Sequence, residues 1–314
     1  MRILITGGAG FIGSHLSKKH IEKNDEVYVI DNLVTGSKLN VENLLKHPHF
    51  YFIEADILTF DFSTLPSVDY IYHLASPASP IQYKKYATET LRTNSEGTYN
   101  VLEFMHKSKS KSFVITSTSE VYGDPLVHPQ TEEYWGNVNP NGVRSCYDEA
   151  KRYAEALVMT YYRKYNLDLR IARLFNTYGP HMEKDDGRVV SNFVMQALTN
   201  KPITIYGTGT QTRSFCYIDD TAEGLYRLVS TPDIAGSVVN LGNPVEKTIA
   251  ELASIVKNMT GSNSEIILTP IDADDPKKRK PDISKAKRLL KWKPTVTLEE
   301  GLQKTISYFR ERFV

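Results

Sequence analysis

A tyrosine and a lysine stand four positions apart at the start of a segment with helical spacing, Asp148–Tyr165. This spacing places Tyr147 and Lys151 on one helical face. An ammonium at ~4 Å from a phenolate, at an effective dielectric constant of ~20, contributes roughly 4 kcal/mol. As an upper bound, that energy would lower a tyrosine pKa by about three units from its usual ~10. The pair predicts a tyrosine base that works near neutral pH, although such a pair alone occurs by chance in many proteins.

Hydroxyl side chains and a carboxylate close the fifth predicted strand, in the run Thr116–Glu120. Open parallel sheets bind their ligands at the carboxyl ends of the strands. We therefore expect Thr118, Ser119 and Glu120 to lie at this ligand-binding edge of the sheet. Hydroxyl groups and a carboxylate in one place suit a substrate with several hydroxyls, such as a sugar.

A glycine-rich turn follows the first predicted strand and precedes a helical segment. Gly7, Gly10 and Gly13 form a GxxGxxG pattern, which allows pyrophosphate to approach the N–H groups at a helix N-terminus. Asp31 ends the second strand, about where an acidic residue binds the adenosine ribose. A carboxylate there accepts a 2′-hydroxyl and repels a 2′-phosphate, so NAD is favoured over NADP. Asp56, after the third strand, is expected near the adenine.

Short apolar runs alternate with amphipathic stretches through the first half of the chain. Strands are predicted at Arg2–Thr6, Glu26–Asp31, Phe50–Asp56, Tyr70–Ala75, Ser112–Ser119 and Leu167–Asn176. The longest helical pattern between them covers Tyr86–Lys107. Apolar strands separated by helices indicate a parallel sheet covered on both faces. The predicted fold is therefore α/β, a doubly wound parallel sheet of the Rossmann type.

The alternation weakens after Asn176, where glycine, proline and turn-forming residues interrupt the chain. Helical patterns follow at Val189–Thr199, Asp219–Val229, Ile249–Met259 and Leu298–Phe313. We expect residues 1–176 to form a dinucleotide-binding domain, completed by part of 212–243. Residues 177–314 would form a smaller, mostly helical lobe that binds the substrate.

Composition excludes several classes of protein. The 38 basic and 37 acidic side chains in 314 residues give a formal charge of +1, which argues against nucleic-acid binding. No stretch approaches the ~20 apolar residues of a membrane-spanning helix. Cys146 and Cys216 are the two cysteines, and neither has partners at metal-ligand spacing, so no metal is expected. They suit a reducing, cytoplasmic location.

Beyond these motifs, the chain resembles the extended short-chain dehydrogenase/reductase family, which acts on nucleotide sugars. The glycine turn, the Tyr147–Lys151 pair and the threonine at the strand end carry the first part of this resemblance. Longer strings resemble those members that decarboxylate UDP-glucuronate to UDP-xylose with bound NAD. These strings are His73–Pro80, Ser117–Pro125, Tyr134–Pro140, Arg144–Glu149, Arg173–Pro180, Asp185–Asn192, Gln211–Tyr217 and Arg279–Ile283.

The resemblance implies a role for each matching position. Tyr147 would be the base and Lys151 its partner, with Thr118, Ser119 and Glu120 around the sugar and Arg279 at the sugar carboxylate. The implied cofactor contacts are Gly7, Gly10, Phe11, Ile12, Gly13, Asp31, Asn32, Thr35, Gly36, Asp56, Ile57, Leu74, Ala75, Ser76, Thr93, Tyr147 and Lys151. The implied nucleotide and glucuronate contacts are Arg92, Asn100, Asn176, Arg188, Tyr206, Gln211, Arg213 and Arg279. Guanidinium groups suit diphosphate and carboxylate because they bind both through a planar fork.

Three alternatives remain at this stage. Sibling enzymes of the family include nucleotide-sugar 4,6-dehydratases and 4-epimerases. Dehydratases typically carry Asp-Glu after the threonine, whereas this chain has Ser119-Glu120. The third alternative is an NAD-binding sensor without turnover, which would need neither Tyr147 nor Lys151. Arg279 itself lies in the charged run Asp272–Lys280, which could equally be a solvated loop.

The resemblance also predicts assembly and location. In the family, the helices that correspond to Tyr86–Lys107 and Asp148–Tyr165 pair across a homodimer. Some members carry an N-terminal membrane anchor, whereas the first predicted strand here begins at Arg2. A homodimer that does not bind membranes is therefore expected.

Overall fold

A seven-stranded, wholly parallel sheet forms the larger part of the computed structural model, which describes residues 1–270 and 278–314. Its strands are β1 (Arg2–Thr6), β2 (Glu26–Asp31), β3 (Phe50–Glu54), β4 (Tyr70–His73), β5 (Ser112–Thr118), β6 (Leu169–Leu174) and, later in the chain, β11 (Val238–Leu241). Their order in space is β11-β6-β5-β4-β1-β2-β3. The chain order reverses between β1 and β4, where such sheets form a ligand crevice. The predicted α/β fold is confirmed.

Helices cover both faces of this sheet. The helices of the described residues, in the sheet layers and in the smaller lobe together, are α1 (Phe11–Ile21), α2 (Pro80–Lys85), α3 (Ala87–Arg92), α4 (Thr98–Ser108), α5 (Ser145–Tyr165), α6 (Val189–Leu198), α7 (Ile218–Ser230), α8 (Ile249–Thr260), α9 (Ser284–Leu290) and α10 (Leu298–Phe313). Because side chains alternate along a strand, Ile3 and Ile5 face one core, with α1, α7 and α9. Leu4 faces the other core, with α4 and α5.

The smaller lobe has its own apolar core, to which α6, α8 and α10 contribute. It also contains short strands that the sequence patterns did not predict. They are β7 (Thr177–Tyr178), β8 (Ile203–Tyr206), β9 (Thr212–Ser214), β10 (Cys216–Tyr217), β12 (Glu246–Thr248), β13 (Ile266–Thr269) and β14 (Lys278–Arg279). β14 pairs with β9 and places Arg279 opposite Arg213. Two paired strands of the smaller lobe therefore hold Arg213 and Arg279 side by side.

Several predicted elements end earlier in the structure than their apolar runs suggest. β3, β4 and β6 stop at Glu54, His73 and Leu174. The residues that follow them, including Asp56, Ala75 and Asn176, line a cavity instead. The predicted helix Tyr86–Lys107 is divided into α3 and α4 by a π-helical turn at Thr93–Gly97. The last residues of these predicted strands therefore belong to loops that line the cavity.

Candidate active site

A cavity of about 650 Å³ lies at the carboxyl ends of the strands and is lined by both lobes. Among the predicted site residues, all except Arg92 and Asn100 line it. The cavity runs from the glycine turn and Asp31, past Tyr147, to Arg213 and Arg279 of the smaller lobe. One continuous space therefore joins the predicted cofactor and substrate residues.

The glycine turn between β1 and α1 requires residues without a Cβ atom. Gly7 has a φ of +73°, and a Cβ there would lie 2.8 Å from the backbone nitrogen of Ala75. A Cβ on Gly13 would overlap the carbonyl oxygen of Gly7. Gly10 has no side chain with which to cap α1, which begins at Phe11. The first N–H groups of α1 are thus accessible to an anion from the cavity.

Asp31 closes β2 at the far end of the cavity. Its carboxylate accepts hydrogen bonds from the backbone N–H groups of Ala9 and Leu33, both at 2.9 Å. One further lone pair on each oxygen is able to accept a ribose hydroxyl. Burial raises the pKa of this carboxyl, against the effect of the backbone donors. Gly36 lies directly behind it, since a Cβ at Gly36 would be 2.8 Å from Oδ1.

Asn32 and Asp56 continue this end of the cavity. The Asn32 amide donates to Asp56 at 3.0 Å, and Asp56 accepts from the Leu58 N–H at 2.9 Å. Together with the glycine turn and Asp31, they form a cradle with room for a pyrophosphate and a polar rim for an adenosine ribose. These residues fit NAD.

Tyr147 and Lys151 lie on the first turns of α5, both almost fully buried. The Lys151 ammonium nitrogen donates to the Thr116 carbonyl oxygen at 2.9 Å and lies 5.9 Å from the centre of the Tyr147 ring. Burial lowers the pKa of Lys151 to about 7. Burial also raises the pKa of Tyr147, although a hydrogen bond with Thr118 opposes this. The lowering of the Tyr147 pKa that the Tyr147–Lys151 spacing predicts is therefore not seen in the free protein, where burial has the largest effect.

Glu120 is the centre of an ionic cluster near Tyr147. The Thr118 hydroxyl accepts a hydrogen bond from the Glu120 N–H at 3.2 Å and so fixes the start of this turn. The carboxylate binds Arg144 at 2.5 Å and both terminal nitrogens of Arg279, Nη2 at 3.0 Å. Burial would raise the pKa of Glu120, but Arg279 and Arg144 lower it to about 2. Among the described residues, two guanidinium groups thus converge on the Glu120 carboxylate.

Asp148 lies behind this cluster, on α5. It is 6% exposed, and its Oδ1 has no hydrogen-bond partner among the described residues. Burial and the Glu120 charge raise its pKa to about 7. At neutral pH its carboxyl is therefore only partly ionised.

The remaining predicted substrate residues line the part of the cavity formed by the smaller lobe. Arg188 binds the Asp186 carboxylate, with Nη2 at 2.6 Å from Oδ2. The Gln211 amide donates to the Tyr206 carbonyl oxygen at 2.6 Å, and Arg213 donates to the Thr212 carbonyl oxygen at 2.9 Å. These contacts hold the side chains in place beside Asn176.

Two of the predicted substrate residues do not line the cavity. Arg92 is not among the residues that line the cavity and forms an exposed ion pair with Glu96 at 2.8 Å. The Asn100 amide donates to the carbonyl oxygens of Ile57 and Leu58 at 3.0 and 3.2 Å. Asn100 therefore supports the loop that follows β3 and does not reach the substrate end. Both residues lie on the segment from α3 to α4. The sequence pattern did not show which side chains of this segment line the cavity.

Sequence reasoning did not select Arg144 and Tyr83 as site residues, although both line the cavity. Arg144 precedes Tyr147 by three positions, a spacing that could have identified it. Tyr83 stacks on Tyr147 with ring centres 4.8 Å apart and planes at 6°. No local pattern indicates this contact, because it joins α2 to α5. Of the charged run, positions 272–277 lie outside the described residues, whereas Arg279 is buried.

A family model described as the NAD dependent epimerase/dehydratase family matches residues 3–242. The chain belongs to this family. Relatives in it include UDP-glucuronic acid decarboxylase 1 of Arabidopsis thaliana, which is 53% identical over 100% of this chain and 71% of its own length. UDP-glucuronic acid decarboxylase 1 of Xenopus tropicalis is 51% identical, over 99% of this chain and 72% of its own length.

A solved family structure is the UDP-glucuronic acid 4-epimerase of Bacillus cereus in complex with UDP-glucuronic acid and NAD. It is 33% identical, with a TM-score of 0.92 and 100% of both chains covered. Family membership, together with the glycine turn and Asp31, agrees with an NAD site in the cavity. Among the described residues, no helix combines the length and apolar character that crossing a membrane requires. Nor do the described histidines, cysteines and carboxylates form a group suited to a metal ion.

Proposed function

We propose that this protein converts UDP-glucuronate to UDP-xylose and carbon dioxide, with NAD recycled in the site. The observation that carries this proposal is the Glu120–Arg144–Arg279 cluster near Tyr147, whose two guanidinium groups suit a sugar carboxylate. Similarity over nearly the whole chain to UDP-glucuronic acid decarboxylases supports it.

The cofactor would occupy the cradle formed by the glycine turn, Asp31, Asn32 and Asp56. When bound, NAD supplies an acceptor for the hydride at sugar C4 and later returns it to C4. Thr93 and the loop Leu74–Ser76 would close the space around it. Asp31 sets the preference for NAD, because its carboxylate repels a 2′-phosphate.

Tyr147 takes the proton of the sugar 4-hydroxyl. The Thr118 hydroxyl orients the Tyr147 hydroxyl oxygen through the hydrogen bond between the two side chains. The Lys151 ammonium lies 5.9 Å from the centre of the Tyr147 ring, and its positive charge favours the tyrosinate. The resulting 4-ketone stands β to the carboxylate. Carbon dioxide can then leave, with its bonding electrons passing into an enolate over C4 and C5.

Arg279 and Arg144 would hold the carboxylate before it leaves. Both already bind Glu120, so this anion keeps the two guanidinium groups in place when no substrate is bound. Ser119 replaces the aspartate typical of dehydratases, and loss of carbon dioxide needs no acid to expel a C6 hydroxyl. Asn176, Arg188, Tyr206, Gln211 and Arg213 would hold the nucleotide.

Incubation with UDP-glucuronate and NAD tests the proposal against the sibling reactions. We expect carbon dioxide release and UDP-xylose as the product, identified by nuclear magnetic resonance. A 4-epimerase would give UDP-galacturonate, which keeps its carboxylate. Either that product or an unchanged substrate would refute the proposal.

We also propose that the protein is a cytoplasmic homodimer. Large side chains are exposed on the helices expected to pair, with Leu91 45%, Tyr99 48% and Tyr153 53% exposed. Both cysteines are free thiols, which suits a reducing compartment. Sedimentation of the wild type and of a Leu91→Lys/Tyr153→Lys variant tests the dimer. A wild type that sediments as a monomer contradicts it.

A further inference from the structure

Gln130 binds the backbone that directly follows Arg279. Its side chain is fully buried, and it is not among the residues that line the cavity. The Gln130 N–H donates to the Lys280 carbonyl oxygen at 2.9 Å, and the side-chain oxygen of Gln130 accepts from the Lys280 N–H at 2.8 Å. The Asp282 N–H donates in turn to the Gln130 carbonyl oxygen at 2.8 Å. Gln130 therefore holds the chain on both sides of Pro281.

Gln130 is itself fixed by further hydrogen bonds. Its side-chain nitrogen donates to the Val127 carbonyl oxygen at 2.7 Å. Its carbonyl oxygen also accepts from the Asn240 amide at 3.0 Å, and Asn240 lies on β11 of the large sheet. The same amide donates to the Asp282 carbonyl oxygen at 3.2 Å. The backbone that follows Arg279 is therefore tied to the large sheet.

Arg279 depends on this support because the strand that carries it is short. β14 comprises Lys278 and Arg279 and pairs with β9. In the free protein, the Glu120 carboxylate also holds the Arg279 guanidinium group. A substrate carboxylate would compete with Glu120 for this group, so the position of Arg279 would then depend more on its backbone. A displacement of about 1 Å can lower a reaction rate by about 100-fold.

Resting on the proposed function, we propose that Gln130 is a positioning residue that acts on the sugar carboxylate through Arg279. Its side-chain oxygen keeps the Lys280 N–H in place, and with it the pairing of β14 with β9. The Arg279 side chain is thereby held at the wall of the cavity. Gln130 itself contacts neither substrate nor cofactor in this role. Its loss should therefore impair the use of a ligand with a C6 carboxylate and spare the binding of one without it.

Gln130→Met tests this role, because methionine has nearly the same length but cannot accept a hydrogen bond from the Lys280 N–H. In the NAD-loaded enzyme, kcat/KM for UDP-glucuronate should fall by roughly fivefold or more. The Kd of UDP-xylose, which lacks the C6 carboxylate, should stay within about twofold of the wild-type value, measured by calorimetry.

Gln196→Met is the matched control, since the Gln196 side-chain oxygen accepts from the Thr204 N–H of β8 at 3.0 Å. This variant removes the same kind of bond from a different strand. Any change in its kcat/KM for UDP-glucuronate should therefore be matched by its affinity for UDP-xylose.

Combination with Arg279→Lys shows whether Gln130 acts through Arg279. In that background, Gln130→Met should lower kcat/KM by less than about twofold further, because the planar fork that it positions is already absent. Gln130→Glu keeps an oxygen that accepts from the Lys280 N–H, so its kcat/KM should lie within about threefold of the wild type. Gln130→Asn, whose side chain is one methylene group shorter, replaces Gln130→Met with the same expectations if the methionine variant does not fold.

Four results would overturn the positioning role. They are an unchanged kcat/KM in Gln130→Met, an equal loss of UDP-xylose affinity, multiplied losses in the double variant, and a Gln130→Glu variant as impaired as Gln130→Met. The second and third would show that Gln130 supports the fold without acting through Arg279. If the wild type releases no carbon dioxide from UDP-glucuronate, the proposed function itself fails, and that result is distinct from all four.

Discussion

Replacing Lys151 by methionine should stabilise the cofactor-free protein at neutral pH while abolishing turnover. Lys151 is 4% exposed, and burial lowers its pKa from 10.5 to about 7. At about 1.4 kcal/mol per pKa unit, this difference corresponds to roughly 5 kcal/mol by which folding disfavours the ammonium. The Thr116 carbonyl oxygen loses its hydrogen bond in the variant, which costs about 1 kcal/mol. The net gain in the free energy of unfolding should be about 3–4 kcal/mol at pH 6.

The sign of the pH dependence follows from proton binding. Between pH 7 and 10.5 the unfolded wild type holds a proton on this lysine that the folded protein has lost, so wild-type stability rises with pH in this window. Below pH 7 both states are protonated and the full penalty applies. The advantage of Lys151→Met should therefore be greatest below pH 7 and should be lost as the pH approaches 10.5.

Urea unfolding of the two proteins without NAD, at several pH values from 6 to about 10, measures this difference. Lys287→Met, which changes an exposed lysine on α9, is the control and should show no such window. A stability difference for Lys151→Met that does not change with pH would refute the claim that burial of the ammonium sets the pKa of Lys151.

Three further substitutions test other residues. Tyr147→Phe should fold and bind NAD as the wild type does, by calorimetry, yet lose turnover by at least a thousandfold; near-native activity would exclude Tyr147 as the base. Asp31→Ala should weaken NAD binding by about 1–3 kcal/mol and relax discrimination against NADP. Glu54→Ala changes the residue opposite Asp31 in the β2–β3 register and is the control, which should leave both properties unchanged. An unchanged NAD/NADP preference in Asp31→Ala would remove that carboxylate from the ribose site. Arg279→Lys keeps the charge but loses the planar fork, so kcat/KM for UDP-glucuronate should fall by roughly tenfold or more. Lys278→Ala, which changes the exposed residue of the same strand, is the control and should leave kcat/KM unchanged. Equal kinetics in both would show that Arg279 does not act at the carboxylate.

The sheet and the cofactor cradle could be predicted because their signals are local. A buried parallel strand is apolar along its whole length, and a glycine turn between a strand and a helix is visible in a few residues. The position of Asp31 could be predicted because it is the last residue of β2, at the end of the apolar run. Those predictions needed no knowledge of contacts between distant segments.

The electrostatics of the site could not be predicted in the same way. The spacing of Tyr147 and Lys151 gave the correct face of α5, but the pKa of each depends on how deeply it is buried, which spacing does not reveal. Likewise, the pairing of Glu120 with Arg279 joins positions 159 residues apart. It depends on β14, which lies in a segment without a strand-like pattern.

The fate of a deuterium atom at C4 of UDP-glucuronate tests the central claim most directly. If one bound cofactor takes and returns the hydride, and the carboxylate leaves in between, turnover in ordinary water should give UDP-xylose that retains the label at C4. Nuclear magnetic resonance and mass spectrometry of the product measure both the label and the missing carboxylate. A product that keeps its carboxylate, or UDP-xylose whose C4 label has been lost to solvent, would contradict the account.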